Sequence, residues 1–203
     1  MNEFVASEEI AGSPEFRHLG SIAGIAVDLR YASDRNFVGR DLYAPFDCAW
    51  LHVQAAEALE RVVAWLAARR PDLTPLVLDA LRPQRVQQQL WDALEGTDLR
   101  LYLANPVRGS IHSYGMALDL TLVDAAGHEL DMGTGFDDMT ELSHPALEEG
   151  FLLAGQLSQA QVDNRRLLRA AMLAAGFFGI NTEWWHFDCG DRDLVRQTFR
   201  RVL

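Results

Sequence analysis

Two short segments of this 203-residue chain carry the residue types of a catalytic metal site. Ser110-Ile111-His112-Ser113-Tyr114-Gly115-Met116-Ala117-Leu118-Asp119 supplies an imidazole and a carboxylate. Glu183-Trp184-Trp185-His186 supplies a second imidazole and a spare glutamate. A catalytic zinc ion takes three protein ligands of these types, keeps a fourth position open for water and needs a general base nearby. His112, Asp119 and His186 are the expected ligands of one Zn2+ per chain, and Glu183 the expected base. The chemistry they point to is peptide hydrolysis. A lone histidine in an aromatic strand is usually a satisfied core residue, and a strand aspartate is often a hydrogen-bonding device. Four matched residues in two motifs weigh against that reading.

The elements around these residues must bring them together. His112 falls in a loop rich in Ser and Gly, and Asp119 falls inside a strand predicted over Ala117–Val123. Gly115 and Ala117 are small enough for a sharp turn between the two. Leu118 and Leu120 are expected to face a packed side, which leaves Asp119 on the other. His186 sits in an apolar, aromatic strand predicted over Trp184–Phe187. Glu183 lies three residues before it, and on a straight strand an odd offset separates the two faces. Both can reach one water only if the chain bends, so a turn or bulge is expected at Thr182-Glu183-Trp184. The spacing differs from the helical HExxH pattern. Arg82, in Asp79-Ala80-Leu81-Arg82-Pro83 at the end of a short apolar run, can aim a fixed cation into a cleft and stabilise a developing oxyanion. The plainer reading makes it a surface arginine paired with Asp79. His18, His52, His128 and His144 are read as structural, and the tryptophans as packing residues.

The remaining pattern predicts α+β architecture: one domain over 1–203, a central, mainly antiparallel sheet and packed helices. Apolar residues recur at helical spacing from Ala49 to Arg70, where Pro71 ends the helix. Leu76–Leu78 is a short buried strand. Pro83 opens a helix at its first position, continuing over Gln84–Leu94. Asp124–Gly127 is a turn whose return arm is expected at His128–Leu130. Gln159–Ala175 is a second amphipathic helix closed by Gly176, and a short helix is expected near Asp191–Arg200. Val27–Tyr31 alternates as a short strand, and residues 1–20 are expected to lie peripherally on the surface.

Composition bounds the function. With 29 acidic and 18 basic residues the formal net charge is −11, which disfavours nucleic acid and anionic membranes as partners. A hydrophobic fraction of 49% can build a core without disulfides. The two cysteines, Cys48 and Cys189, read as buried thiols, not as a bridge or zinc ligands. The first residues lack a basic, then apolar, targeting pattern, so a cytoplasmic location is expected. No obligate protein partner is indicated.

Taken together, SxHxxGxAxD and ExWH resemble the zinc D-alanyl-D-alanine dipeptidases. The likeness continues in Asp28–Ala32 with Asn36–Gly39, in Asp79–Pro83, in Met132–Asp137 with Ser143-His144, and in Asn164–Leu168 with Gly176-Phe177. Ala80-Leu81 stands where that family more often has Gly-Tyr. The resemblance implies zinc on His112, Asp119 and His186, Glu183 as catalytic base and Arg82 as the transition-state cation. It implies that Asp137 and Tyr31 recognise the free amino end of a small dipeptide, and that Ser110 touches the substrate. Two alternatives are weighed beside it. One is a D,D- or L,D-carboxypeptidase acting on peptidoglycan stem peptides. The other is a zinc-stabilised binding module like the hedgehog signalling domain, which would lack the base or the cation.

Overall fold

The apolar repeat that begins at Ala49 becomes helical only at Val53. The computed structural model describes residues 4–203. Its first half runs β1 (Phe4–Val5), β2 (Phe16–His18), β3 (Ala26–Val27), β4 (Trp50–His52), α1 (Val53–Arg69), β5 (Thr74–Asp79) and α2 (Gln84–Ala93). Its second half runs β6 (Ala117–Val123), α3 (Glu148–Leu153), α4 (Gln159–Ala174), β7 (Phe177–Gly179), β8 (His186–Cys189), α5 (Arg192–Thr198) and β9 (Arg201–Val202). Trp50 to His52 pair antiparallel with β2, and His52 Nδ1 caps α1 by accepting from the Gln54 N–H at 3.3 Å.

The central sheet has the order β3-β5-β6-β8-β7. β5–β6, β6–β8 and β7–β8 are antiparallel pairs, while β3 lies parallel to β5. The sheet is therefore mixed, which corrects the mainly antiparallel sheet expected from sequence; the α+β class stands. Parallel neighbours need a long crossover, and the chain between β3 and β5 provides one by way of α1.

The two faces of this sheet do different work. Val77, Leu118, Leu120 and Leu122 pack into one core with Ala55, Leu59, Val62 and Leu66 of α1 and Leu168, Ala171 and Met172 of α4. Each fully buried Val, Leu or Met among them contributes about 1.5–3 kcal/mol. On the opposite face Leu76, Leu78 and Val123 form a smaller apolar patch. Next along β6 on that face come Thr121 and then Asp119, both fully enclosed.

Several boundaries differ from expectation. Residues 4–20 are woven in rather than peripheral: β1 pairs with β9, and Val5, Ile10 and Phe16 share a buried cluster with Leu81 and Val202. Their apolar residues are too sparse for a periodic signal and are covered by distant segments; residues 1–3 lie outside the described part. The late strand starts at His186, two residues after the expected Trp184, and β7 has no counterpart in the sequence reading. His128–Leu130 supplies only one bridge, Val123 to Glu129, after the expected turn. Pro83 is the N-cap of α2, one place before the expected first helical position. α4 opens with a Ser158–Gln161 capping box, and Gly176 follows it at φ 93°. Cys48 and Cys189 are free and buried. Among the described residues no helix is long and apolar enough to cross a membrane.

Candidate metal centre and its cleft

Sheet register assembles the centre. Asp79 of β5 lies opposite Asp119 of β6, and Asp119 lies opposite His186 of β8. Three polar residues thus form one row across adjacent strands, a spacing at which directly opposed side chains interact. The β5–β6 register shifts between Val77 and Asp79, a bulge of the kind that re-aims a side chain at a sheet end.

His112 reaches the same row from the side. It lies in a single 3₁₀ turn, Ile111–Tyr114, which ends at Gly115 with φ 65°. A β-carbon on Gly115 would stand 2.6 Å from the His52 backbone nitrogen, so conformation and space both demand glycine there. His112 Nδ1 donates to the Ala80 carbonyl at 2.8 Å. That bond leaves the Nε2 lone pair facing inward.

Three ligand atoms converge. His112 Nε2 lies 3.1 Å from His186 Nδ1 and 3.4 Å from Asp119 Oδ1, and His186 Nδ1 lies 2.9 Å from Asp119 Oδ1. Bond lengths near 2.0–2.1 Å in a tetrahedron place ligand atoms about 3.3 Å apart. The triangle fits such an ion, and two imidazoles with one carboxylate suit zinc among others. His186 Nε2 donates to Asp188 Oδ1 at 3.0 Å, which turns Nδ1 toward the triangle. Burial alone would lower the His186 pKa, but Asp188 and Asp119 raise it well above the usual imidazole range. A proton on Nδ1 and a metal ion would compete for one space, so a bound ion would displace that proton. Burial opposes charge on Asp119 too, yet His112 and His186 hold its carboxyl far below the usual range.

Glu183 and Arg82 complete the wall. The chain bends at Asn181-Thr182 and again at Trp184-Trp185, the departure from a straight strand that the Glu183 offset requires. The Glu183 pKa is pushed up to about 7, chiefly by burial, against His186 and with Asp119. Arg82 is nearly enclosed, at 6% exposure. Its Nε donates to Asp79 Oδ2 at 2.8 Å, Nη1 to Gln87 Oε1 at 3.1 Å and Nη2 to Asp119 Oδ2 at 3.2 Å. The pairing with Asp79 is therefore real, but it lies in the interior and aims the guanidinium at the row. The Tyr31 ring lies 5.1 Å away and takes the guanidinium on its face.

These side chains line a cavity of about 320 Å³ together with Tyr31, Ser110, Asp137 and Trp185. Tyr31 Oη donates to Asp137 Oδ2 at 2.7 Å. Burial raises the Asp137 carboxyl well above its ordinary range. Asp137 sits at φ 60°, a conformation that non-glycine residues adopt at a cost of order 1–3 kcal/mol and that clusters at ligand sites. Its loop is braced by buried Arg165, which donates to the Met132 carbonyl at 2.6 Å and the Leu142 carbonyl at 3.0 Å. Trp184 Nε1 donates to Thr134 Oγ1 of the same loop at 2.8 Å.

Residues 15–202 match the family model of peptidase M15, described as D-ala-D-ala dipeptidase. The chain is 38% identical over 164 residues to a D-alanyl-D-alanine dipeptidase of Escherichia coli (strain K12), across 81% of this chain and 78% of that one. It belongs to the M15 peptidase family. D-alanyl-D-alanine dipeptidases of Synechocystis sp. and Enterococcus faecium are similar as well. The first is 30% identical over 172 residues, 70% of each chain; the second is 29% identical over 199 residues, 88% of this chain and 92% of that one.

In this M15 peptidase all eight residues singled out from sequence line the one cleft. The sequence reading missed Asp188, Gln87 and the full part of Asp79. Asp188 had a legible signal, since two residues after His186 on a strand is the same face. The other histidines have partners elsewhere: His18 faces Asp47 at 2.8 Å, His144 faces Tyr102 at 2.9 Å, and His128 is exposed beside Asp124.

Proposed function

We propose that this M15 peptidase is a zinc enzyme that hydrolyses free dipeptides, with D-Ala-D-Ala as its leading substrate, and that residues 1–203 act as one catalytic domain. The observation that carries this reading is the convergence of the His112–Asp119–His186 triangle, Glu183 and Arg82 on one small cavity. His112, Asp119 and His186 would hold the ion, and Asp188 and the Ala80 carbonyl orient the two imidazoles. When bound, zinc acidifies water and polarises the scissile carbonyl. Glu183 accepts the proton of the attacking water and returns it to the leaving amine. Burial lifts this carboxyl above the ordinary glutamate range in the metal-free site, which favours its holding and returning a proton. Arg82, preoriented by Asp79, faces the negative charge that develops on the carbonyl oxygen. Asp137, with Tyr31, receives the substrate ammonium, and Ser110 contacts the substrate beside them. The D-alanyl-D-alanine dipeptidase names of the similar proteins support the choice of substrate.

The test compares D-Ala-D-Ala, its N-acetyl form and the tripeptide extended at the amino end, each with zinc-loaded enzyme. Leaving the Asp137 carboxylate unpaired costs of order 1–3 kcal/mol, so the dipeptide turns over about 5- to 150-fold faster than the other two. Comparable turnover of all three would overturn the dipeptidase reading and favour the carboxypeptidase alternative.

A further inference from the structure

The cleft holds more positive charge than the chemistry above uses. Arg108, Arg192 and Arg196 line the same cavity as Glu183 and Asp137. Arg192 and Arg196 are one turn apart on α5, and Arg108 approaches from the loop before His112. Between them these three cations have two carboxylates. Arg192 Nε donates to Asp188 Oδ2 at 2.5 Å and is committed to holding it. Arg108 Nη2 and Arg196 Nη1 share Asp193 Oδ1, at 3.0 and 3.3 Å. Arg196 Nε donates to the Gly109 carbonyl at 3.2 Å, while its Nη2 has no protein partner among the described residues.

Arg196 is no solvated surface cation, because its side chain is only 15% exposed. Burial, and next Arg108, push its pKa below the ordinary guanidinium range, against the pull of Asp193. Asp137 belongs to the part of the cavity where the Tyr31 hydroxyl donates to it and Arg82 stands over the Tyr31 ring. One cavity thus presents a carboxylate beside Tyr31 and, on α5, a guanidinium with one nitrogen free of protein partners among the described residues. A free dipeptide carries an ammonium at one end and a carboxylate at the other.

We propose that Arg196, assisted by Arg108, binds the C-terminal carboxylate of the dipeptide and so rejects substrates extended or blocked at that end. The inference rests on the dipeptidase reading and deepens it: Asp137 checks one terminus and Arg196 the other. The peptide bond to be cut is then held between two charge-paired ends, which fixes its position over the metal triangle.

The experiment measures zinc-loaded native enzyme on D-Ala-D-Ala and on its C-terminal amide, then repeats both with Arg196→Gln, Arg196→Lys and Arg108→Gln. A hydrogen bond to a charged group corresponds to about 10- to 100-fold in kcat/KM, and the native enzyme prefers the acid by that factor, mostly through KM. Arg196→Gln removes most of the preference by slowing the acid and leaving the amide within roughly threefold, a non-additivity that a merely structural role would not give. Arg196→Lys restores part of it. Arg108→Gln, at an exposed residue, erodes the preference by a few-fold and decides the matter should Arg196→Gln not fold. Equal turnover of acid and amide by native enzyme, or equal loss on both in the variants, overturns the proposal while the dipeptidase reading stands. Turnover of neither compound overturns both.

Discussion

The cleft has two arginine-carboxylate ends, and they differ in depth. At the inner end Arg82 is enclosed among Asp79, Asp119, Gln87 and the Tyr31 ring. At the outer end Arg108 and Arg192 have side chains 65% and 47% exposed. Breaking a buried ion pair costs about 3–5 kcal/mol, because a charge is stranded. An exposed pair is worth about 0–1 kcal/mol and is screened by salt. The same residue types thus serve different ends. A cation that must meet charge in a transition state sits where water cannot reorganise around it. Of the cations proposed to meet the substrate carboxylate, Arg108 stays open to water and ions while Arg196 is largely covered.

The largest effect belongs to the interior. Glu183→Gln should retain zinc and fold while losing roughly 10²–10⁴-fold in kcat; zinc content and steady-state rates check both halves. His186→Ala, by contrast, should fail to retain stoichiometric zinc under elemental analysis. Next comes Arg82→Ala, expected to lower kcat by about 10²–10³-fold with little change in KM. Lysine at that position should rescue poorly, because it cannot copy a guanidinium that bonds Asp79, Gln87 and Asp119 at once. If Arg82→Ala changed only KM, the contrast between the two ends would collapse.

Asp188 sharpens the comparison because it joins the ends, bonding His186 on one side and Arg192 on the other. Asp188→Asn should weaken zinc binding by about 10- to 100-fold, read by chelator competition, with a smaller loss for Arg192→Gln. An unchanged affinity in Asp188→Asn would remove it from the metal site. A fourth measurement uses chelated, metal-free protein. The folded Glu183 pKa of about 7 lies above the ordinary 4.5, so the native state holds that proton more tightly than the unfolded chain. The contribution to stability is fully present below 4.5 and is lost as pH rises through 7. Glu183→Gln should therefore be more stable than native by of order 1–3 kcal/mol at pH 8 and nearly equal at pH 5. Thermal melts at the two pH values decide it. The smallest effect is at the outer end: raising salt from about 0.05 to 0.5 M shortens the Debye length severalfold and should raise KM a few-fold without lowering kcat.

What was legible in the sequence follows the range of the interactions. His112 and Asp119 lie seven residues apart in one segment, so their joint use could be read locally. The offset of Glu183 from His186 demanded a bend, and bends flank Glu183. α1, α4 and β6 had enough periodic residues to announce themselves. β3 has two residues and β7 three, and their places depend on partners far away in the chain. The parallel β3–β5 pairing therefore had no local signature. Arg82 was legible as a cation at a strand end, but its burial was not, since Gln87 and Asp119 close over it only in the fold. The cluster of Arg108 with Arg192 and Arg196 is of the same kind, joined across more than eighty residues of chain.

Asp119 gives Oδ1 to the metal triangle and Oδ2 to Arg82. One carboxylate thus divides its charge between two cationic tenants. Binding free energies joined through a common group are reciprocal. An anionic mimic of the transition state that draws the guanidinium away from Asp119 leaves more of that charge for the ion. It must then tighten the hold on the ion by the same factor by which the ion tightens the hold on it. A tight inhibitor of this design would protect the enzyme against chelators, and a chelator would act as its antagonist.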